Sequence, residues 1–367
     1  MKVLFTASGT GGHLVPAIRL ARGVMKKDGN CQILFIGGER GLERQMIAAA
    51  GFALELIPAR GFVRSRPWRN VPVLWALAKS LAAARRIVRA FGPDVAVGTG
   101  GYVTGPVMLA AHRAGVPTLI HEQNRKPGLT TRWLSRIADC ACVAFPETIS
   151  LLAQPARTVV TGNPIDVEAI LTDRKTAAAS LGLAADRPTI LVTGGSQGAH
   201  SINENIARGL RGGKLSAGWQ VIWQTGARDF DRYRDLGAGR EGIVVQPFIA
   251  ELARVMAAAD VIVARAGALT IAEITARGLP AVLVPFPFAA ADHQTENAQA
   301  LADAGAAVMV ADAELATVNL LEQCVELLGD KGEIDRMREN SRKLGQPQAT
   351  EKIAEEILRL GRRGKRG

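Results

Sequence analysis

The stretch VLFTASGTGGHLVPAIRLA, residues 3–21, decides how the rest of the chain is read. A largely apolar run, Val3–Ala7, leads into Gly9, Gly11 and Gly12, and a helical pattern starts near Val15 and Pro16. Strand, glycine-rich turn, helix is the arrangement that aims backbone N–H groups at an anion. The spacing is not G-x-G-x-x-G, and a histidine, His13, directly follows the glycines. The turn reads as built for a phosphate or a sugar, with an ionisable group beside it.

The pattern returns at TILVTGGSQGAH, residues 189–200: apolar strand, glycine turn, histidine, helix. A chain of 367 residues is too long for one ordinary core, so two similar domains are expected. Short apolar runs mark strands at Val3–Ala7, Gln32–Ile36, Ala53–Ile57, Val95–Val97, Thr118–Ile120, Ala141–Val143 and Arg157–Val160. In the second half they mark Thr189–Val192, Gln220–Trp223, Ile243–Gln246, Val261–Val263, Ala281–Val284 and Ala307–Val310. Helical stretches such as Ile18–Lys26, Leu42–Ala50 and Val73–Ala90 separate them. Short apolar strands alternating with helices specify an α/β protein with doubly wound parallel sheets. The boundary falls in TGNPIDVEAILTDR, 161–174, giving domains 1–163 and 164–344. A last helix, Ala349–Leu360, is free to pack back on the first domain, and the basic end GRRGKRG reads as disordered.

Composition excludes several classes. No segment approaches the roughly 18 uncharged apolar residues of a membrane span. The amino-terminal apolar run is short and closes in glycines, unlike a secretory leader, so a cytoplasmic protein is expected. Cys31, Cys140, Cys142 and Cys324 form no C-x-x-C and have no histidine cluster beside them. They read as reduced, buried small residues, not as a disulfide framework or a zinc site.

Four glycine turns stand out: Gly9–Gly12, Gly98–Gly105 (GTGGYVTG), Gly194–Gly198 (GGSQG) and Gly267 within RAGALTIAE. Each is expected at the carboxyl end of a strand, where doubly wound sheets bind ligands. Two in each half predict a cleft lined from both domains. There is no G-x-x-x-x-G-K-[ST], so a P-loop ATPase is excluded. Glu39 follows the second strand as a dinucleotide enzyme would want, but the glycine fingerprint is incomplete. Asp229-Phe230-Asp231 is formally D-x-D, yet lies among Arg228, Arg232 and Arg234 in what reads as a solvated helix.

Taken together, GTGGHLVPA, GGYVTGP, HEQNRKPGLT, TGNP, TGGSQGAHSIN, RAGALTIAE and DHQTENA resemble the MurG family of N-acetylglucosaminyltransferases, in order and across positions 9–298. The resemblance implies a GT-B fold, two Rossmann-like domains facing a cleft. It implies a UDP-GlcNAc donor and a polyprenyl-diphosphate-linked MurNAc-pentapeptide acceptor, lipid I, with lipid II as product. It also implies a peripheral place on the cytoplasmic face of the cell membrane, in company with other wall-synthesis and division proteins. Neither a metal nor an organic cofactor is implied.

Site residues follow by position. Glu273, expected in the first turn of a helix, matches a ribose-binding glutamate; without the motif it reads as a helix-start carboxylate favoured by the macrodipole. Ala268, Leu269, Thr270, Ile271 and Ala272 surround it. Ser196 matches a diphosphate contact, aided by a helix beginning near Ala199. Gln294 matches a sugar contact, though the residues alone give a surface polar side chain. Ile249 lies where the family meets uracil through backbone; its plain reading is core packing. Thr10, Gly11, Gly12 and Asn124 match donor contacts from the first domain. His13 matches the general base, since an imidazole near its usual pKa suits proton abstraction at cytoplasmic pH. From the residues alone a helix-capping histidine reads equally well. His121 reads as structural. One position departs from the family: Asp166 stands where relatives carry an arginine near the diphosphate, so either another cation substitutes, with Arg265 and Arg174 as candidates, or the local backbone differs, or Asp166 points away.

The net charge of +11 needs a partner. Residues 60–93 hold Arg60, Arg64, Arg66, Arg69, Lys79, Arg85, Arg86 and Arg89 with Phe62, Trp68 and Trp75, and no acid. Basic residues beside aromatics suit an anionic bilayer surface. The plain alternative is a helix with an apolar core face and solvated arginines. No nucleic-acid module is visible. Three alternatives stand beside this reading: a GT-B transferase with another lipid acceptor; a UDP-sugar epimerase, which has no need of the basic stretch; and a non-catalytic nucleotide-sugar-binding scaffold, indifferent to loss of His13.

Overall fold

The computed structural model describes residues 1–9, 11–39, 41–59, 71–153, 157–289 and 292–364, without the side chains of 71–75 and 364. It divides into two compact units: Met1–Ile165 with Gln348–Gly367, and Asp166–Pro347. The first carries strands β1 (Lys2–Thr6), β2 (Gln32–Gly38), β3 (Ala53–Ile57), β4 (Val95–Gly98), β5 (Thr118–Glu122), β6 (Cys140–Val143) and β7 (Thr158–Val160). They form one parallel sheet in the order β3-β2-β1-β4-β5-β6-β7. The second carries β8 (Thr189–Thr193), β9 (Gln220–Gln224), β10 (Ile243–Gln246), β11 (Val261–Ala264), β12 (Ala281–Leu283) and β13 (Ala307–Met309). Their order is β10-β9-β8-β11-β12-β13, again parallel.

These runs are strands because both sheet faces are covered, so an apolar residue is favoured at every position. In β1, Val3 and Phe5 pack on one face against helices Gly11–Lys27 and Ala349–Gly364. Leu4 packs on the other face with Ile87 and Val88 of helix Val71–Phe91 and Val107 and Met108 of helix Thr104–Arg113. The Ala349–Gly364 helix buries Ile353, Ala354 and Ile357 completely. Thr350 Oγ1 donates to the Ile165 carbonyl at 2.7 Å, and Lys27 meets Glu355 at 2.8 Å. In the second unit, Ile190, Val192, Val221, Trp223, Val261 and Val263 build the core with Ile202 and Ile206 of helix His200–Arg211.

One expected boundary is wrong. The first helix begins at Gly11, not near Val15. Pro16 looked like a start residue, because proline is favoured at the first helical position. It lies instead in the second turn, fully inside the helix, where it removes the donor for the Gly12 carbonyl. His13 is thereby placed in the first turn. All four cysteines are free and buried; burial pushes the Cys31 thiol up to about 11 and that of Cys324 to about 12. Among the described residues no helix is long and apolar enough to cross a membrane.

Candidate active site

In each sheet the strand order reverses at one place: between β1 and β4 in the first unit, and between β8 and β11 in the second. Ligands of doubly wound proteins bind outside the carboxyl ends of strands at such switch points. All four glycine turns lie there, after β1, β4, β8 and β11.

In the first unit the two turns are stitched together. Ser8 N donates to the Gly100 carbonyl at 3.2 Å, and Val103 N donates to Ser8 Oγ at 3.1 Å. A Cβ on Gly101 (φ +90°) would lie 2.3 Å from the Ser8 carbonyl oxygen, and one on Gly100 (φ +112°) 2.6 Å from His13 Nδ1. Both positions therefore require glycine. The Gly9 N–H donates to Oε1 of the fully buried Glu43 at 3.0 Å, so this amide is taken by a carboxyl group and not offered to an anion. Gly11 and Gly12 open the helix, whose first-turn N–H groups have no intrahelical acceptor. Thr10 lies outside the described residues.

The His13 ring is half-buried and held through one nitrogen. Nδ1 lies 3.0 Å from the Thr99 carbonyl oxygen and 3.2 Å from Gln123 Oε1. Both partners are acceptors, so Nδ1 carries a hydrogen, and in the neutral ring the lone pair is on Nε2. No described residue bonds to Nε2. His121, four-square in β5, is buried: Nε2 donates to the Gly162 carbonyl at 3.1 Å and Nδ1 accepts from Gln123 Nε2 at 3.0 Å. Burial lowers its pKa to about 4, so it is neutral. Glu122 accepts from Asn124 N, Asn124 Nδ2 and Gly128 N at 3.1–3.2 Å and shapes the turn that presents Asn124. Asn163 Nδ2 donates to the Gln123 carbonyl at 3.0 Å, so the TGNP and HEQN motifs support one another.

Asp166 is exposed and caps helix Val167–Ile170, accepting from Ala169 N at 3.2 Å. Its carboxylate is thereby turned to its own helix. Neither candidate substitute for the family arginine is available. Arg174 is bidentate to Asp260 at 3.0 and 2.8 Å and also donates to the Ala185 and Arg187 carbonyls. Arg265 is buried, pairs with Asp312 at 2.5 Å, and donates to Ser201 Oγ and the Val284 and Pro285 carbonyls.

In the second unit Gly194, Gly195 and Gly198 fold the GGSQG turn over the end of β9. A Cβ on Gly198 (φ +73°) would lie 2.0 Å from the Thr225 carbonyl oxygen. Ser196 sits exposed at the tip, and helix His200–Arg211 begins just beyond it with Ala199 as its cap residue. Gln224 links two expected contacts. Its Nε2 donates to Thr193 Oγ1 and the Gly195 carbonyl at 3.1 and 2.8 Å, and its Oε1 accepts from Ile249 N at 2.7 Å. Ile249 itself is buried, while neighbouring Phe248 is 54% exposed. Ala268, Leu269, Thr270, Ile271, Ala272 and Glu273 lie on helix Ala268–Arg277. Glu273 is in its second turn, not the first, and is buried beneath the half-exposed Ala268–Thr270. Gln294 Oε1 accepts from Phe286 N at 3.0 Å, leaving its NH₂ as the outward donor. Asn297 Nδ2 donates to the Ala266 carbonyl and ties helix His293–Asp303 to the turn after β11.

Asp229 precedes its short helix and accepts from His200 Nδ1 and Asn203 Nδ2 at 3.0 and 2.9 Å, while exposed Asp231 faces Arg234. Among the described residues no three His, Cys, Asp or Glu side chains group as metal ligands. Sequence reasoning passed over Gln123, Gln224 and Asn297. The available signal was a polar residue closing a buried apolar strand, as in QVIWQ, or standing inside a motif already quoted.

Two doubly wound parallel sheets with glycine turns at both switch points define the GT-B class of glycosyltransferase. Residues 3–143 match the glycosyltransferase family 28 N-terminal domain and residues 189–357 its C-terminal domain, and the chain belongs to that family. It is 42% identical to the UDP-N-acetylglucosamine–N-acetylmuramyl-(pentapeptide) pyrophosphoryl-undecaprenol N-acetylglucosamine transferase of Moorella thermoacetica, over 98% of this chain and 99% of that one. The enzyme of the same name from Chlorobaculum parvum is also 42% identical, covering 99% and 100%. The crystal structure of Acinetobacter baumannii MurG superposes with a TM-score of 0.77 at 31% identity, over 98% of this chain and 99% of that one.

Proposed function

We propose that the chain transfers GlcNAc from UDP-GlcNAc to the 4-hydroxyl of MurNAc in undecaprenyl-pyrophosphoryl-MurNAc-pentapeptide, with inversion at C1, making lipid II from lipid I. The names and full-length similarity of the relatives support the substrates. The observation that carries the chemistry is His13: held at Nδ1 by two acceptors at the β1/β4 switch point, with Nε2 bonded to no described residue.

In this reading His13 Nε2 takes the proton of the acceptor hydroxyl as its oxygen attacks C1. The C1–O bond to the diphosphate breaks on the opposite face and UDP leaves with the electron pair. A positioned general base contributes about 10²–10⁴-fold. Ser196 Oγ and the N-terminus of helix His200–Arg211, carrying roughly half a positive charge, stabilise the diphosphate as it leaves. Glu273 accepts from the ribose hydroxyls, with Ala268, Leu269, Thr270, Ile271 and Ala272 around them. Ile249 has already donated its N–H to Gln224, which leaves its carbonyl for the N3–H of uracil. Gln294 donates to a sugar hydroxyl. Thr10, Gly11, Gly12 and Asn124 contact the donor from the first unit. No step is assigned to a metal or a cofactor.

A lipid-linked acceptor places the reaction at the cytoplasmic face of the membrane, with the enzyme held peripherally on anionic lipid. Lys79, Arg85, Arg86 and Arg89 are exposed on helix Val71–Phe91, with Leu77 40% exposed beside them, whereas Ala84, Ile87 and Val88 belong to the core. Residues 60–70 of the basic stretch lie outside the described residues. The test is UDP release from UDP-GlcNAc with and without a short-chain lipid I analogue, for wild type and His13→Ala. Acceptor-dependent release that collapses in the variant is expected. Release that survives removes His13 as base, and no release despite donor binding overturns the transferase reading.

A further inference from the structure

We propose that Gln123 is a positioning residue for this reaction, holding the Nδ1–H of His13 from a second side and setting how readily Nε2 takes the proton. The inference rests on His13 as the general base.

The argument begins at the far end of the network. His121 Nε2 faces the Gly162 carbonyl, an acceptor only, so it carries the ring hydrogen of this neutral histidine. His121 Nδ1 is then an acceptor and needs a donor, which the Gln123 side chain supplies at 3.0 Å. The same Gln123 atom lies 2.9 Å from the Thr99 carbonyl oxygen and 3.1 Å from that of His121. An oxygen there would meet three acceptors, so the amide has one orientation: NH₂ inward, oxygen toward His13. Oε1 lies 3.2 Å from His13 Nδ1. The backbone of Gln123 is fixed in turn by Asn163 at its carbonyl. One fully buried amide therefore carries the polarity of a structural histidine across to the catalytic one.

The consequence is electrostatic. When His13 becomes an imidazolium, its Nδ1–H lies between two neutral oxygens, those of Thr99 and Gln123. A carboxylate in place of the amide would make the ring much more basic; an apolar side chain would make it less so. The other ionisable groups nearby are turned elsewhere among the described residues. Glu122 faces Asn124 and Gly128, Glu43 faces Gly9, and the Tyr102 hydroxyl is placed against Gly38. From the β4 turn the Thr99 carbonyl and the backbone of Gly100 face the ring.

The experiment compares Gln123→Met and Gln123→Glu in the full chain. The readouts are acceptor-dependent kcat and KM across pH, together with titration of the His13 ring by ¹⁵N NMR. Gln123→Met is expected to lower kcat about 10–100-fold, the loss typical of a hydrogen bond to a charged group. It is expected to leave the KM for UDP-GlcNAc unchanged and to move the acid limb and the His13 titration to lower pH. Gln123→Glu is expected to move both to higher pH. The displacement in Gln123→Met establishes the role, because a merely structural glutamine would leave that variant with the wild-type titration, and Gln123→Glu shows that the position faces the ring. Unchanged titration of His13 in folded Gln123→Met overturns the proposal. So does a loss confined to KM. If His13→Ala retains activity, the base assignment itself has failed, while the NMR titration still reports whether Gln123 tunes the ring.

Discussion

Replacing Gly198 by alanine tests whether the GGSQG turn is built by backbone contact. Two costs apply at this position. The residue has φ +73°, which for an L-residue costs about 1–2 kcal/mol. Its new Cβ would also stand 2.0 Å from the Thr225 carbonyl oxygen and 2.7 Å from the Thr225 carbonyl carbon. Those atoms cannot rotate away: Thr225 N donates to the Gln246 carbonyl at 3.0 Å, and its own carbonyl accepts from Asn203 at 2.7 Å. Overpacking of this kind adds about 1–3 kcal/mol. Gly195 supplies the control, since its φ is +84° but nothing lies within 4 Å of its Cβ direction. Gly195→Ala should incur the first cost alone. At about 2–4 °C per kcal/mol for a unit of this size, Gly198→Ala should melt about 2–12 °C below Gly195→Ala in scanning calorimetry. Titration calorimetry with UDP-GlcNAc should show at least about tenfold weaker binding for Gly198→Ala, as a kcal-scale displacement of the turn implies. Equal melting of the two variants, or wild-type donor affinity in Gly198→Ala, would refute the reasoning.

Three further outcomes follow from the geometry. Gly100→Ala should drive the His13 ring from its place and lower kcat by about 10²–10⁴-fold, the range of a general base, with donor affinity by calorimetry unchanged. His121 titrates near 6.5 when unfolded and near 4 when folded, so the unfolded chain binds the extra proton. Its contribution to stability is full above pH 6.5 and is lost as pH falls toward 4, up to about 3 kcal/mol. Urea unfolding between pH 7 and 4.5 should therefore show a shallower pH slope in His121→Gln than in wild type. Truncation after Gly345 should abolish cooperative unfolding of the first unit, because it uncovers the sites of Ile353, Ile357, Leu358 and Leu360. At about 1.5–3 kcal/mol for each large aliphatic, that loss rivals a whole domain's stability; circular dichroism melts would report it.

The strands were legible because parallel sheets covered on both faces leave continuous apolar runs. β1, β8 and β11 can be read directly from VLFT, TILVT and VIVA. The glycine turns were legible for the same local reason: a sharp exit from a strand needs φ values that only glycine adopts freely. What sequence order does not state is lateral order. That β4 lies beside β1, and β11 beside β8, is what brings the turns together in pairs. Gln123 and Gln224 were passed over because their meaning lies in the atoms opposite, Thr99 and His13 for one and Gly195 and Ile249 for the other. Asp166 was legible in part: that it points away is one of three readings the sequence leaves open, and its capping role was not drawn. An aspartate three residues before Ala169 is an ordinary helix cap, and the comparison with an arginine at that position drew attention to charge instead.

The return of the last helix to the first unit has a consequence for biosynthesis. The whole of Asp166–Pro347 is translated between Ile165 and the segment that closes the sheet face bearing Val3, Phe5 and Val95. At about 5–20 residues per second, a nascent first unit waits about 10–35 s with the part of that face that the last helix covers still open while its neighbour is synthesised and folds. The second unit is continuous in sequence and can close on its own as it emerges. The unit begun first on the ribosome is thus the one completed last, and the interval between is when the chain most needs a chaperone.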